Sequence, residues 1–124
     1  MSLKSQIYDF TNRLIEEGEK VVTTKWQPQG YIIASGVILR AVLEERLKLL
    51  CDRNLCVPAK QRPTIVDYNT ELYKKLVYDK LTMKLVESMA AVGNDAAHTN
   101  PQLSKDDVGR FKRDLFDFLQ KFSK

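Results

Sequence analysis

Residues that interrupt helices are scarce in this chain. Five glycines and four prolines in 124 residues leave too few turn-formers for an architecture of many short strands. No apolar run approaches the roughly 20 residues that a membrane-spanning helix requires, so no membrane association is expected. The first residues, MSLKSQIYDF, lack the apolar stretch of a secretion signal. Two cysteines, Cys51 and Cys56, and a single histidine cannot supply the four ligands of a structural zinc site. Two thiols are also too few for a disulfide framework, and reduced thiols fit the cytoplasm. There is no P-loop, no GxGxxG and no Ser–His–Asp arrangement, so neither a metal nor an organic cofactor is expected.

The chain is 44% hydrophobic and 29% charged, the balance of a globular protein rather than a disordered one. Its length fits one domain over residues 1–124, large enough to bury a core without staples. The net charge of +4 is spread out: KDDVGRFKRDLFD interleaves both signs, the pattern of solvated helix faces with i,i+4 pairs. A modest positive excess also favours encounter with phosphate-bearing partners.

Helical periodicity dominates. A first helix is predicted over about Leu3 to Val22, with Ile7, Phe10, Leu14 and Ile15 on one side. The polar stretch TTKWQPQG follows as a turn, with Trp26 expected against the bundle. A central helix over about Tyr31 to Asp52 is apolar on more than one side, as befits a helix with neighbours all round. Its Ala34, Ser35 and Gly36 form a small-residue patch. Gly in a helix interior costs about 1 kcal/mol against Ala, so a close helix contact is expected there. Cys51 lies on the apolar stripe as a small core residue. After the proline-bearing loop RNLCVPAKQRP, helices are predicted over about Ile65 to Tyr78 and Leu81 to His98. Ser104 caps a last helix, with Asp106 and Asp107 at its positive end and Val108, Phe111, Leu115, Phe118, Leu119 and Phe122 inward. Tyr68, Tyr73 and Tyr78 are spaced five apart. They form no common face for stacking bases and are expected to pack. The fold class is all-α, a four- or five-helix antiparallel bundle.

One segment carries chemistry. GNDAAH places Asn94 and His98 four residues apart on one helix face, with Gly93, Ala96 and Ala97 beside them. Small side chains leave the backbone open to a second helix or a phosphate. A histidine at a helix C-terminus is also favoured by the helix dipole alone.

From about Ala34 to Phe122 the chain resembles the HEPN superfamily (higher eukaryote and prokaryote nucleotide-binding domains), in a bacterial branch catalogued as a domain of unknown function. The resemblance rests on ILRAVLEERLKLL, the short intervening helices, the ending VGNDAAH and the amphipathic helix after LSKDD. It implies an antiparallel bundle that pairs as a homodimer, here with the GNDAAH segments near the axis. It also implies a link to bacterial defence or toxin–antitoxin systems. In many such domains an Arg, a polar residue and a His form a metal-independent endoribonuclease site. A neutral His takes the ribose 2′-OH proton and Arg stabilises the charge growing on phosphate. This chain keeps the polar residue, Asn94, and the histidine, His98. The arginine of the motif falls at Gly93, Val92 or Ala91, and none of these is arginine.

Arg40 and Glu44 share a helical stripe with Ile33, Val37, Leu47 and Cys51, facing apolar company. They read either as a structural i,i+4 pair or as binding residues, with Arg40 reaching the Asn94/His98 cleft to supply the missing guanidinium. The sequence thus supports a binding or assembly module for nucleic acid or nucleotide. The alternatives are an endoribonuclease using His98 with a displaced Arg, and a domain that binds only a protein partner.

Overall fold

The computed structural model describes residues 28–122 continuously, together with Ser5, Gln6, Asp9, Phe10, Asn12 and Arg13. Four helices make up the continuous part: α1 (Pro28–Arg53), α2 (Ile65–Lys74), α3 (Lys80–Ala97) and α4 (Lys105–Lys121). No strand occurs among the described residues, in line with the all-α expectation. No described helix is long and apolar enough to cross a membrane. The six earlier residues are helical, and Lys112 of α4 donates to the side-chain carbonyl of Asn12. The rest of the predicted first helix, and Trp26, lie outside the described residues.

α1 is the central element and packs on each of the other three helices, most extensively on α3. Gly36 faces Ala96, and one turn on Arg40 faces Gly93, so α1 and α3 run antiparallel. α4 returns along α3, bringing Phe118 and Phe122 back to Tyr78 just before α3, at centroid distances of 6.2 and 5.6 Å. Leu43 and Leu47 of α1, Leu72 of α2, Val86 of α3 and Phe111 and Leu115 of α4 meet in one core, all fully buried or nearly so. Each such side chain contributes about 1.5–3 kcal/mol by leaving water.

The tyrosines follow the packing expectation, with Tyr73 half-buried against the core. Tyr68 and Tyr78 are buried. The Tyr78 hydroxyl donates to Asn69 Oδ1 at 2.5 Å, and Asn69 Nδ2 donates to the Met83 carbonyl at 3.1 Å. This chain of bonds satisfies a buried amide and locks α2 to α3. Burial pushes the Tyr78 hydroxyl well above its ordinary value. Cys51, as expected, is a core residue; burial and the neighbouring Cys56 push its thiol up to about 12. Such a group is no nucleophile near neutral pH.

Helix boundaries differ from the sequence reading in instructive ways. α1 begins at Pro28, three residues before the expected start. Proline and glycine at Pro28 and Gly30 do not interrupt it, because a first-turn residue needs no intrahelical N–H bond and Pro already has helical φ. α2 ends at Lys74, not at Tyr78. There Leu76 turns left-handed (φ 61°) and sends its N–H to the Tyr73 carbonyl, while Val77 N–H reaches Leu72. The same paired closure ends α1 through Leu55 (φ 55°) and α3 through Thr99 (φ 52°). This termination usually employs glycine. A left-handed non-glycine residue costs roughly 1–2 kcal/mol. Leu55 and Leu76 are 86% and 82% exposed, so their side chains return little of that cost through burial. Leu76→Gly is therefore expected to stabilise the fold by about 0.5–1 kcal/mol, after allowing for glycine's larger unfolded-state entropy. A rise in urea midpoint at constant slope would show it.

Helix starts are capped as the sequence suggested at Ser104 and by the same chemistry elsewhere. Ser104 and Asp107 exchange side-chain and backbone bonds at α4, as do Thr64 and Asp67 at α2, and Asp79 accepts from Thr82 N–H at α3. Backbone N–H donation holds the carboxyls of Asp67, Asp79 and Asp107 below the usual carboxylate range. The folded state thus binds these protons less readily than the unfolded chain. Their contribution is complete above the unfolded value near 4 and is lost as pH falls through it toward the folded values. Denaturant stability should decline below about pH 4, and Asp67→Asn with Asp107→Asn should flatten that limb.

Candidate functional site

The site residues converge where α1 crosses α3. Gly36 is the tightest point: a Cβ built there would lie 2.5 Å from the Ala96 Cβ. The small patch predicted around Gly36 thus receives a helix, and that helix belongs to the same chain. One turn further, the Arg40 stem lies flat over Gly93. A Cβ at 93 would meet Arg40 Cβ at 2.9 Å, Cγ at 3.0 Å and Cδ at 3.3 Å. Glycine at 93 is therefore required by the arginine that sits on it.

That stem delivers the guanidinium to Asn94. Arg40 Nε donates to Asn94 Oδ1 at 3.1 Å across 54 residues of sequence. This bond fixes the Asn94 amide, turning its Nδ2 donors away from Arg40. Glu44, one turn along α1, stands with Oε2 3.8 Å from Arg40 Nη1. That separation is an ion pair but too long for a hydrogen bond. Both side chains are part-exposed, at 34% for Arg40 and 39% for Glu44, so the pair contributes no more than about 1 kcal/mol.

The stripe expected for Arg40 and Glu44 is only partly apolar. Leu47 and Cys51 are fully buried, but Val37 is 42% exposed. The two charged residues mark the edge of the core, where the α1–α3 seam opens to solvent. The missing side chain at Gly93 leaves room for the Arg40 stem, which carries the guanidinium along the seam to its solvent edge.

His98 ends α3 rather than continuing it. Its N–H bonds the Asn94 carbonyl at 2.9 Å, and its imidazole is exposed. The next residue, Thr99, is β-branched and left-handed, and its hydroxyl donates to the His98 carbonyl at 2.7 Å. A β-branched residue in that region is a genuine outlier. The surrounding turn holds it: Asn100 Oδ1 accepts from Gln102 N–H, and Gln29 Nε2 from the first turn of α1 donates to the Leu103 carbonyl at 2.9 Å. His98 thus leaves the helix from a fixed position, at the helix end that Thr99, Asn100 and Pro101 mark in the sequence, although sequence reasoning did not single out Gln29.

Of the predicted site residues, the fold brings Arg40 against both Asn94 and Glu44 and places His98 one turn beyond Asn94 on the same helix. Of the two uses expected for the small residues, close approach of a second helix is the one seen, and that helix is α1. Gly93 and Ala96 are buried against α1, and among the three only Ala97 faces solvent. No group of three or more His, Cys, Asp or Glu side chains among the described residues is placed to hold a metal ion. Chemically, the cluster offers one oriented guanidinium, an outward amide and an exposed imidazole: donors for an anion. Comparison with family models, with curated proteins and with solved structures returns no match.

Proposed function

We propose that this chain is a HEPN-like module that binds a phosphate-bearing ligand, nucleic acid or nucleotide, at the Arg40–Asn94–His98 cluster. Its setting would be a bacterial defence or toxin–antitoxin-type system. The observation that carries the reading is the Arg40 Nε to Asn94 Oδ1 bond at 3.1 Å, made by a stem seated on Gly93. The resemblance lacks an arginine at Gly93, Val92 or Ala91, and α1 supplies one at the same spot from another helix. Arginine suits phosphate because its planar fork binds two oxygens at fixed geometry.

Fluorescence anisotropy with a short labelled oligoribonucleotide at low salt tests this. Arg40→Ala is expected to weaken binding about tenfold or more, the effect of removing charge-assisted hydrogen bonds. Binding that is unchanged in Arg40→Ala, or absent from the wild type, would sink the reading. Absence would favour a domain that binds only protein.

The same bond favours a second reading, a metal-independent endoribonuclease with His98 as base and Arg40 stabilising the phosphate. Arg40, however, already shares its Nε with Asn94 and its Nη1 with Glu44. Losing one positioned donor can lower such a rate by about 10²–10³. Wild type and His98→Ala are therefore expected to be equally inert toward RNA in EDTA. Cleavage lost in both His98→Ala and Arg40→Ala would promote the enzyme instead. Pairing into a homodimer through this face would rest on Ala97 and His98, since Gly93 and Ala96 are occupied within the chain. Sedimentation of wild type against Ala97→Trp tests it.

A further inference from the structure

We infer that Cys51 and Cys56 form a peroxide-reactive thiol pair that closes reversibly into an intrachain disulfide across the end of α1. The inference is independent of the phosphate reading. Both cysteines are free thiols, Cys51 buried and Cys56 half-buried. α1 ends through the left-handed Leu55, whose N–H reaches the Asp52 carbonyl at 3.4 Å while Cys56 N–H reaches the Cys51 carbonyl at 3.0 Å. In this termination the residues at the two ends of the longer loop usually touch side chain to side chain. At α2 those positions are Leu72 and Val77, an ordinary apolar pair. At α1 both are cysteine. The backbone bond also limits their separation. A Cys56 N placed 3.0 Å from the Cys51 carbonyl oxygen keeps the two Cα atoms within about 7 Å, the longest span a disulfide bridges. The thiols face each other across this gap, since Cys56 acts on Cys51 both through a side-chain hydrogen bond and through its charge.

Exposure assigns the roles. Cys56 lies between Leu55 and Val57, which are 86% and 58% exposed, so a peroxide from solution reaches it first. Its thiolate attacks one peroxide oxygen, the O–O bond breaks, and the departing hydroxide takes up a proton to leave as water. Cys56 is then a sulfenic acid. The Cys51 sulfur attacks the Cys56 sulfur; the S–S bond forms, the S–O bond breaks, and the departing hydroxide takes the Cys51 proton as a second water. Two thiols have given up two electrons, and one peroxide has become two waters. Burial holds the Cys51 thiol up at about 12, so at pH 7 only about one copy in 10⁵ is a thiolate. That fraction is too small to capture a peroxide from solution. It suffices against a sulfur already in contact, because well-oriented neighbours react as though present at ~10⁵ M or more. The Cys51 thiol donates to the Tyr68 carbonyl at 3.7 Å, a weak bond that the disulfide gives up. In return the closed ring encloses Leu55 and holds its left-handed turn covalently, which secures the end of α1 against fraying.

The test treats the full chain with hydrogen peroxide, alkylates it with iodoacetamide in urea, and reads intact mass and cysteine-bearing peptides. Wild type is expected to lose both alkylation sites and to be lighter than the reduced chain by two hydrogens, with no disulfide-linked dimer on a non-reducing gel. Dithiothreitol should restore both sites. Cys51→Ala should stop at the sulfenic acid of Cys56, which dimedone traps. Cys56→Ala should leave Cys51 fully alkylated, because its buried thiol meets no peroxide. The thermal midpoint of oxidised wild type should exceed that of the reduced chain by several degrees, a difference absent from Cys56→Ala. Both sites still alkylated after treatment, oxidation of wild-type Cys56 to the sulfinic acid, or a disulfide joining two chains would overturn the pair. A closed disulfide with no rise in midpoint would overturn its hold on α1 and leave the thiol pair standing.

Discussion

Gly36→Ala is expected to destabilise the domain by about 1–3 kcal/mol, even though alanine is the better helix former by about 1 kcal/mol. The added Cβ would lie 2.5 Å from the Ala96 Cβ, and that atom is fixed directly to the α3 backbone. No flexible side-chain end can move aside. The two helices must separate, and every contact along their seam lengthens with them. For a domain with 5–15 kcal/mol in hand, this is a large fraction. The pair can be tested as a pair. Moving the methyl group across the seam, in Gly36→Ala with Ala96→Gly, restores the spacing and is expected to recover most of the loss. A double-mutant cycle by urea denaturation measures the coupling. If the two single changes simply add, the close approach is not the source of the destabilisation.

Under the proposed function, Gly93→Val should weaken oligoribonucleotide binding on the order of tenfold to a hundredfold although Arg40, Asn94, Glu44 and His98 are all unmutated. The branched side chain would occupy the volume of the Arg40 stem, whose Cβ, Cγ and Cδ lie 2.9 to 3.3 Å from a Cβ at 93. Arg40 would have to leave Asn94, and a guanidinium without that bond no longer presents a fixed edge. The affinity loss must be separated from instability. Phe118→Leu, at the far end of the bundle beside Tyr78, gives a comparison variant with a damaged core and an untouched Arg40. It is expected to bind as wild type does. Equal loss in both variants would mean that binding follows stability rather than the seat at Gly93.

Much of this fold could be read from the sequence, for reasons that differ along the chain. α4 was plain because its apolar positions keep strict helical spacing between a polar face and a Ser104/Asp107 cap. α2 was overrun because Leu76, Val77 and Tyr78 continue the apolar pattern after the backbone has already turned at Leu76. Periodicity reports side-chain chemistry, and a left-handed residue that is leucine rather than glycine gives no local sign. The start of α1 was missed because Pro28 and Gly30 read as breaks when they sit in a first turn.

At the site, the shared face of Asn94 and His98 follows from spacing alone. The seating of Arg40 on Gly93 does not, because it is a pairing between helices. A usable signal was present nonetheless: Gly36 and Arg40 are four apart, Gly93 and Ala96 three apart. Two helices that cross antiparallel would match small against large in that register. Gly93 and Ala96 signalled a close approach but not its source, because a small residue shows only that something comes close, not which helix provides it.

The long sequence separation between Arg40 and Asn94 also bears on when the site comes into existence as the chain folds. Contacts within the middle of the domain are local: Asn69 reaches Met83 over 14 residues and Cys51 reaches Tyr68 over 17, against 54 for Arg40 and Asn94. Closing the longer loop costs about 1 kcal/mol more in chain entropy than closing the shorter one. The α2–α3 hairpin is thus cheaper to close than the α1–α3 seam, and the expected order is that α1's first half docks last. The arginine and its asparagine meet at that late closure. A nascent or half-folded chain carries every residue of the cluster and none of its geometry, so the arrangement proposed to recognise a ligand arrives only with completed folding.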